Sequence, residues 1–391
     1  MKRIICILLM VALLTTGCTF IGQKASNDDE PIIPVDVNKG GQGDDTGSAM
    51  SSNSTDTAAN NSVDSSSISS PDVSGNSGEL FGSGIIVDNG TGRGVTANST
   101  DKGSILMTLY YRDKDNLLVP VTRSVTKQEG LAKAAVSGLV DEAVTREQLD
   151  YYGLYPVLPQ GTKIRGMNIK NGSAVIDFSK EFMNLKTKED EQLAVTSIIY
   201  TLTGFSTISD VAIRIEGREN STLPNGTSLS GVRSRDNTFI NSADAGPKEG
   251  YVKCDLYYMT TGNDQFIYFV PVSTQVQQAS DSQLTVSIFD ELGKQPEGGK
   301  YFTSVPQGTK LLSYNLQSGT AVLDFSSQLI NYGGAEKENG LLNQIYYTLN
   351  QLKGIAKAKI LVDGKETTLP EGTEIALAKS LPTTFNKVMD K

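Results

Sequence analysis

The chain contains no histidine and no tryptophan, and only three cysteines in 391 residues. Without imidazole, Ser-His-Asp and Cys-His nucleophile activation, His-ligated zinc and His proton relays are excluded. A basic excess is also missing. The net charge is -9, and the acid is concentrated between residues 19 and 104, where 12 Asp and Glu face 4 Lys and Arg; from residue 105 onward 32 face 29. Nucleic-acid binding needs clustered cations to displace counterions, so no nucleic-acid partner is expected. At about 150 residues per domain, the length allows two or three domains with full cores.

The N-terminus carries a targeting pattern. Lys2 and Arg3 precede an apolar run from Ile4 to Leu14, followed by small residues ending at Gly17-Cys18. That is a secretory signal, too short for a comfortable membrane span. A cysteine directly after Gly17 resembles the bacterial lipobox, in which Cys becomes the lipid-modified N-terminus after cleavage. Thr15 stands where that motif usually has Leu, with Leu14 one place further back. Residues 1–17 are therefore expected to be a lipoprotein signal peptide, with Cys18 the lipid attachment and two or more acyl chains giving stable membrane anchoring. Cys6 leaves with the signal, so Cys254 has no disulfide partner. It lies in the alternating run Val252, Cys254, Leu256, Tyr258, which reads as a small apolar residue on the buried face of a strand.

Residues 18–104 read as a disordered acidic tether rich in Ser, Asn and Gly, with 12 serines between positions 48 and 77 alone. Such a composition cannot bury enough apolar area to offset ordering entropy, and as a coil it would span roughly 50 Å. The Gly90–Gly94 run has no strand before it and no helix after it, unlike a phosphate-binding loop.

Beyond the tether one unit is written twice. Pro159-Gln160-Gly161-Thr162-Lys163 recurs 147 residues later as Pro306-Gln307-Gly308-Thr309-Lys310, and Ala174–Ser179 recurs at the same offset as Ala321–Ser326. Tyr200-Thr201-Leu202 is answered by Tyr347-Thr348-Leu349, and Leu223–Thr227 by Leu369–Thr373 with a one-residue slip. These matches define two domains, 105–240 and 251–391, joined by a short polar stretch. Each reads as a hairpin, a helix opened by a capping box (Thr126-x-x-Glu129 or Ser280-x-x-Gln283), a second hairpin at Asn171-Gly172 or Ser318-Gly319, a helix with an apolar stripe, and a strand turning at Glu216-Gly217 or Asp363-Gly364 into a short return strand. The expected fold class is α+β: two tandem repeats, each with two helices packed on a mostly antiparallel sheet.

Asp177 and Asp324 recur inside a tight motif and raise the question of acid-base chemistry. No base or nucleophile repeats beside them. Their expected role is structural, accepting backbone hydrogen bonds in a turn, and no catalytic residue, metal site or cofactor is assigned. Asp113 and Asp115 lack the Gly and bidentate Glu of a calcium loop and read as a solvated hairpin tip. In the pairs Tyr110-Tyr111 and Tyr257-Tyr258, successive residues point to opposite faces, so one ring of each pair is expected to face outward.

The P-x-G-T turn, the V-I/L-D-F-S strand end, the Y-T-L helix and the L-P-x-G-T tail, behind a lipoprotein signal and a polar tether, together resemble the GerMN domain family of sporulation and germination proteins. The resemblance covers nearly everything from residue 105 onward. It implies a non-enzymatic lipoprotein of the endospore-former envelope, with a fold similar to ring-building modules of sporulation secretion complexes and with protein partners in the complex linking mother cell and forespore. Its implied place is the extracytoplasmic membrane face, and a small-molecule ligand is not expected. The alternative is a lipoprotein that holds a solute or cell-wall glycan in a cleft between the two domains; the lack of tryptophan removes the best sugar-stacking side chain.

Overall fold

The computed structural model describes residues 104–387 except positions 220, 245, 264 and 297; the expected signal peptide, Cys18 and nearly all of the tether lie outside this range. In the first repeat, β1 (Ser104–Arg112) and β2 (Leu118–Thr126) form a hairpin. Helices α1 (Leu131–Ser137) and α2 (Ala143–Asp150) follow, then β3 (Ile164–Lys170), β4 (Ser173–Phe178), α3 (Lys188–Leu202), β5 (Asp210–Ile215) and the two-residue β6 (Arg233–Ser234). The second repeat runs β7 (Tyr251–Thr261), β8 (Ile267–Gln277), α4 (Asp281–Leu292), β9 (Leu311–Gln317), β10 (Thr320–Phe325), α5 (Ala335–Leu349), β11 (Lys357–Val362) and β12 (Lys379–Ser380).

Each repeat carries a four-stranded sheet, β3-β4-β5-β6 or β9-β10-β11-β12. The outer pairings are antiparallel and the central one, β4 with β5 or β10 with β11, is parallel. The parallel pair follows from chain connectivity: α3 and α5 are the crossovers that carry the chain back to the same edge. At the β3–β4 hairpin Asn171 and Gly172 both take positive φ, 52° and 82°, the pattern of a primed two-residue turn. Ser318 and Gly319 repeat it at 47° and 77°.

Several local expectations are corrected. β2 extends through Thr126, and α1 begins after Gly130, which at φ 77° caps the helix without any side-chain bond. Thr126-x-x-Glu129 is therefore strand end and loop, not a capping box. In the second repeat Ser280 does occupy the N-cap, but its hydroxyl pairs with the Gln283 side chain rather than with the backbone. The capping box that forms is Thr187 with Asp190, on α3. The return strand after Glu216-Gly217 reduces to one bridge, Ile215 with Arg218. Helix α2, with Leu149 its one buried residue, has no counterpart among the described residues of the second repeat.

The first core gathers β1, β2, α1, α3 and the inner face of the sheet, and also takes in Tyr268 and Val270 from the second repeat. The second core is built likewise from Leu256, Ile288, Leu323, Ile345 and Ile360. Hydrophobic burial thus crosses the repeat boundary.

Candidate functional site

The recurrent side chains end in turns and at strand edges. Asp177 Oδ1 accepts the Gly217 amide at 2.8 Å, and Asp324 Oδ1 accepts that of Gly364 at 2.7 Å; Arg165 lies 3.5 Å from Asp177. The Thr162 and Thr309 hydroxyls donate to the Pro159 and Pro306 carbonyls, both at 2.7 Å. Ser179 and Ser326 accept the amides of Lys163 and Lys310. In the Y-T-L helix, the Thr201 and Thr348 hydroxyls accept the buried Tyr110 and Tyr257 amides at 3.3 and 3.1 Å. Ser197 and Gln344 donate to the carbonyls of the same two tyrosines. Helices α3 and α5 therefore close the otherwise open hydrogen-bonding edges of β1 and β7, which an uncovered sheet would offer to other strands.

A second pair of acids has no motif that marks it in the sequence. Glu191 and Glu338 also stand 147 residues apart and are 0% and 2% exposed. Glu191 accepts the amides of Asn225 and Thr227 at 2.6 and 3.0 Å, and Glu338 accepts those of Glu371 and Thr373. These are the amides of the L-P-x-G-T tail. Burial alone would raise both carboxyls, but the donated hydrogen bonds outweigh it and hold them below the ordinary value. A carboxylate on the first turn of a helix, 33 to 36 residues ahead of the amides of a Gly-containing turn, is the available signal.

A buried polar network lies at the seam between the repeats. Lys253 Nζ donates to Asp255 Oδ1 at 2.7 Å and to the Tyr200 hydroxyl at 3.0 Å. The Ser273 hydroxyl donates to the same carboxylate oxygen, and Tyr200 to Oδ2. Arg235 donates to the Tyr200 carbonyl and the Thr203 hydroxyl, with its guanidinium 4.7 Å from the Tyr200 ring centre. Burial would raise the Asp255 carboxyl, but Lys253 and Ser273 outweigh it and hold it low. Lys253 and Asp255 are paired and hydrogen-bonded, which is the condition for burying them.

This seam reverses two expectations. All four rings of the tyrosine pairs are buried, between 0% and 6% exposed. Leu109 and Tyr111 face α1, with the Tyr111 hydroxyl on the Gly138 carbonyl, while Tyr110 packs edge-on against Tyr200 at 5.3 Å. Asp113 is likewise no solvated tip: at 1% exposure it accepts the Leu117 and Asp115 amides and the hydroxyl of Thr260 from the other repeat. Burial raises its carboxyl despite these bonds. The space that a cleft between the domains would need is filled by these side chains.

Two short straps cross the seam in matching fashion. After β6, the Ile240 carbonyl accepts the Ser273 amide and the Ile240 amide donates to the Ser273 hydroxyl. Asn241 holds the Leu118 amide and carbonyl and reaches the Pro271 carbonyl at 2.8 Å. After β12, Phe385 makes the same two bonds to Thr122, and Asn386 holds the Phe269 amide and carbonyl and reaches the Pro120 carbonyl. Pro120 and Pro271 have no amide to donate, and the two asparagine side chains bridge β2 to β8 at those positions.

Among the described residues no group of His, Cys, Asp and Glu could hold a metal ion. Cys254 is 3% exposed, and burial pushes its thiol up to about 12, so it is no nucleophile at neutral pH. Grooves of about 550 and 500 Å³ flank α1, one lined by Arg123, Lys133 and Tyr111 and the other by Met167, Ile169 and Phe205.

Two α+β units fused through a filled seam, with their repeated polar residues committed to turns and strand edges, form a tandem-domain protein. The family model described as Germane, sporulation and spore germination, matches residues 108–221 and 255–368, one stretch in each unit. The chain belongs to this family of sporulation and spore germination proteins. It is similar to the spore germination protein GerM of Bacillus subtilis (strain 168), 32% identical over 302 residues that cover 74% of this chain and 81% of that protein. The solved tandem GerMN domains of the sporulation protein GerM from Bacillus subtilis match at a TM-score of 0.62 and 31% identity, covering 73% of this chain and 99% of that one.

Proposed function

We propose that this chain is a non-enzymatic envelope lipoprotein that acts as a protein-interaction scaffold during endospore formation and germination. In this reading Cys18 carries the lipid on the extracytoplasmic face, residues 18–104 supply reach, and the paired repeats bind protein partners between mother cell and forespore. The observation that carries it is the use made of the recurrent acids and hydroxyls. Asp177, Glu191, Thr201 and their counterparts each accept backbone amides, an arrangement that stiffens a platform and leaves no repeated group poised for proton transfer. The relatives' names, for sporulation and germination, support the setting.

Among the described residues no helix is long and apolar enough to cross a membrane, and attachment in this reading is through Cys18. The test is affinity capture of the tagged full chain from sporulating cells, with Cys18→Ala in parallel. The scaffold reading expects a reproducible set of envelope proteins and loss of the Cys18→Ala variant from the membrane fraction. Recovery of no envelope protein, or normal processing and full membrane retention of Cys18→Ala, would overturn the scaffold and the anchor respectively.

A further inference from the structure

The first repeat is underfilled around α1. That helix buries only Ala132, Ala135 and Val136, whereas α4, which follows β8 as α1 follows β2, buries Thr285, Ile288, Phe289 and Leu292. The small side chains of α1 leave a groove on each side of it. One, of about 550 Å³, runs along the hairpin over Leu109, Tyr111 and Val125; the other, of about 500 Å³, is walled by Met167, Ile169 and Phe205. Ile169 stands opposite the fully buried Ala174 and so on the core side of the sheet, yet it is 42% exposed. Both grooves reach Gly130 and Lys133, so they meet at the start of α1.

The tether enters the fold at this place. Ser104 pairs with Thr126, and Thr126 lines the first groove. Upstream, between residues 38 and 103, large apolar side chains adjoin one another only at Leu80-Phe81 and at Ile85-Ile86-Val87. Gly82-Ser83-Gly84 separates the two clusters, and Glu79 and Asp88 bracket them with no base between. The grooves carry the opposite sign: Lys133 lines both and Arg123 the first, against one acid, Glu129.

We propose that residues 79–88 dock into these two grooves of their own chain, with Ile85-Ile86-Val87, the cluster nearer Ser104, in the first and Leu80-Phe81 in the second. The spacing fits. Phe81 and Ile85 are four residues apart, a reach of about 13–14 Å at about 3.3–3.6 Å per residue, and a helix with its side chains is about 10–12 Å across. The Gly-Ser-Gly spacer brings no bulk to the crossing at Gly130. Removing five apolar side chains from water drives the docking, and the flanking acids match the cationic rim. Residues 89–103 join Asp88 to Ser104 and reach about 50 Å when extended, several times the length of α1, so the connection does not limit the placement. Because segment and grooves are covalently joined, they meet at an effective concentration on the order of mM. Docking is thus independent of protein concentration and needs neither the lipid anchor nor a sporulation partner. It leaves residues 18–78 to supply reach, and a partner that used this face of the first repeat would have to displace the segment.

The test places the photo-cross-linker p-benzoylphenylalanine at position 81 of the full chain, or at position 66 as the control, and maps the cross-links by mass spectrometry after irradiation. Cross-links within one chain from position 81 to Met167, Ile169 or Phe205 should exceed those from position 66 at least tenfold. Their yield should not change when the protein is diluted tenfold, as an effective concentration set within one chain requires. Ile85→Ser together with Ile86→Ser should cut the yield at least fivefold, and Lys133→Glu, a change at an exposed position, should lower it too. Excess peptide spanning residues 78–89 should compete, whereas the same peptide carrying both serines should not. Equal yield from positions 66 and 81, cross-links that map elsewhere or only between chains, or a yield indifferent to the substitutions and to the peptide, would overturn the proposal.

Discussion

Glu191→Gln offers the sharpest perturbation of the architecture. Glu191 is fully buried and accepts two backbone amides, Asn225 N at 2.6 Å and Thr227 N at 3.0 Å. Glutamine fills the same volume but carries one oxygen, so one amide keeps its acceptor and the other meets an NH2 group. A hydrogen bond to a charged group contributes about 1.5–3 kcal/mol, and a buried donor left unpaired costs about 1–3 kcal/mol. The expected loss is about 2–4 kcal/mol, which in a body of this size lowers Tm by about 5–15 °C. The pH dependence supplies a control. Burial would raise the Glu191 carboxyl, but the amides of Asn225 and Thr227 overcome this and hold it low in the fold. A group depressed in the folded state stabilises above its unfolded pKa and loses that contribution as pH falls through the folded one. The gap between wild type and Glu191→Gln should therefore be full at neutral pH and shrink below the ordinary carboxylate range. Thermal melts of both proteins from about pH 7 to about pH 3 measure it. A gap below about 0.5 kcal/mol at neutral pH, the size expected of an ordinary surface change, or one that widens in acid, would refute the reasoning.

Three other substitutions probe separate contacts. Thr348→Val removes the acceptor of the buried Tyr257 amide and should cost about 1–3 kcal/mol in denaturant unfolding, with no change in net charge. Asp255→Asn leaves Lys253 buried without its counter-ion and should cost about 3–5 kcal/mol, more than Asp177→Asn, which keeps one acceptor for the Gly217 amide and should cost about 1 kcal/mol. Cys254, with its thiol pushed up to about 12 by burial, should resist a soluble thiol reagent in the native protein and react at once in denaturant; fast native labelling would contradict its position in the core.

Repetition made much of each unit legible. The Asn171-Gly172 turn, the apolar stripe of α3 and the strand ending in Asp177-Phe178 are set by local chemistry and so are visible in local sequence. What escaped depends on distance along the chain. Glu191 reads as one more acid in an acidic first turn until the tail, 34 residues on, folds over it. Asn241 reads as linker because its partners Leu118 and Pro271 lie 123 and 30 residues away. The tyrosine pairs read as having one exposed ring because a strand in an isolated repeat has an open face; the seam covers that face. Helix α2 buries only Leu149 and thus carries no apolar stripe to read.

The claim that most needs testing is that the recurrent carboxylates build a scaffold and perform no chemistry. Asp177→Asn, Asp324→Asn, Glu191→Gln and Glu338→Gln can each be scored in one sporulating host for folded fraction and for spore yield. If these acids act only by holding turns, spore yield follows folded fraction along a single curve for all four variants. A variant that stays fully folded at the assay temperature and still captures its partners, yet yields no spores, would contradict the claim.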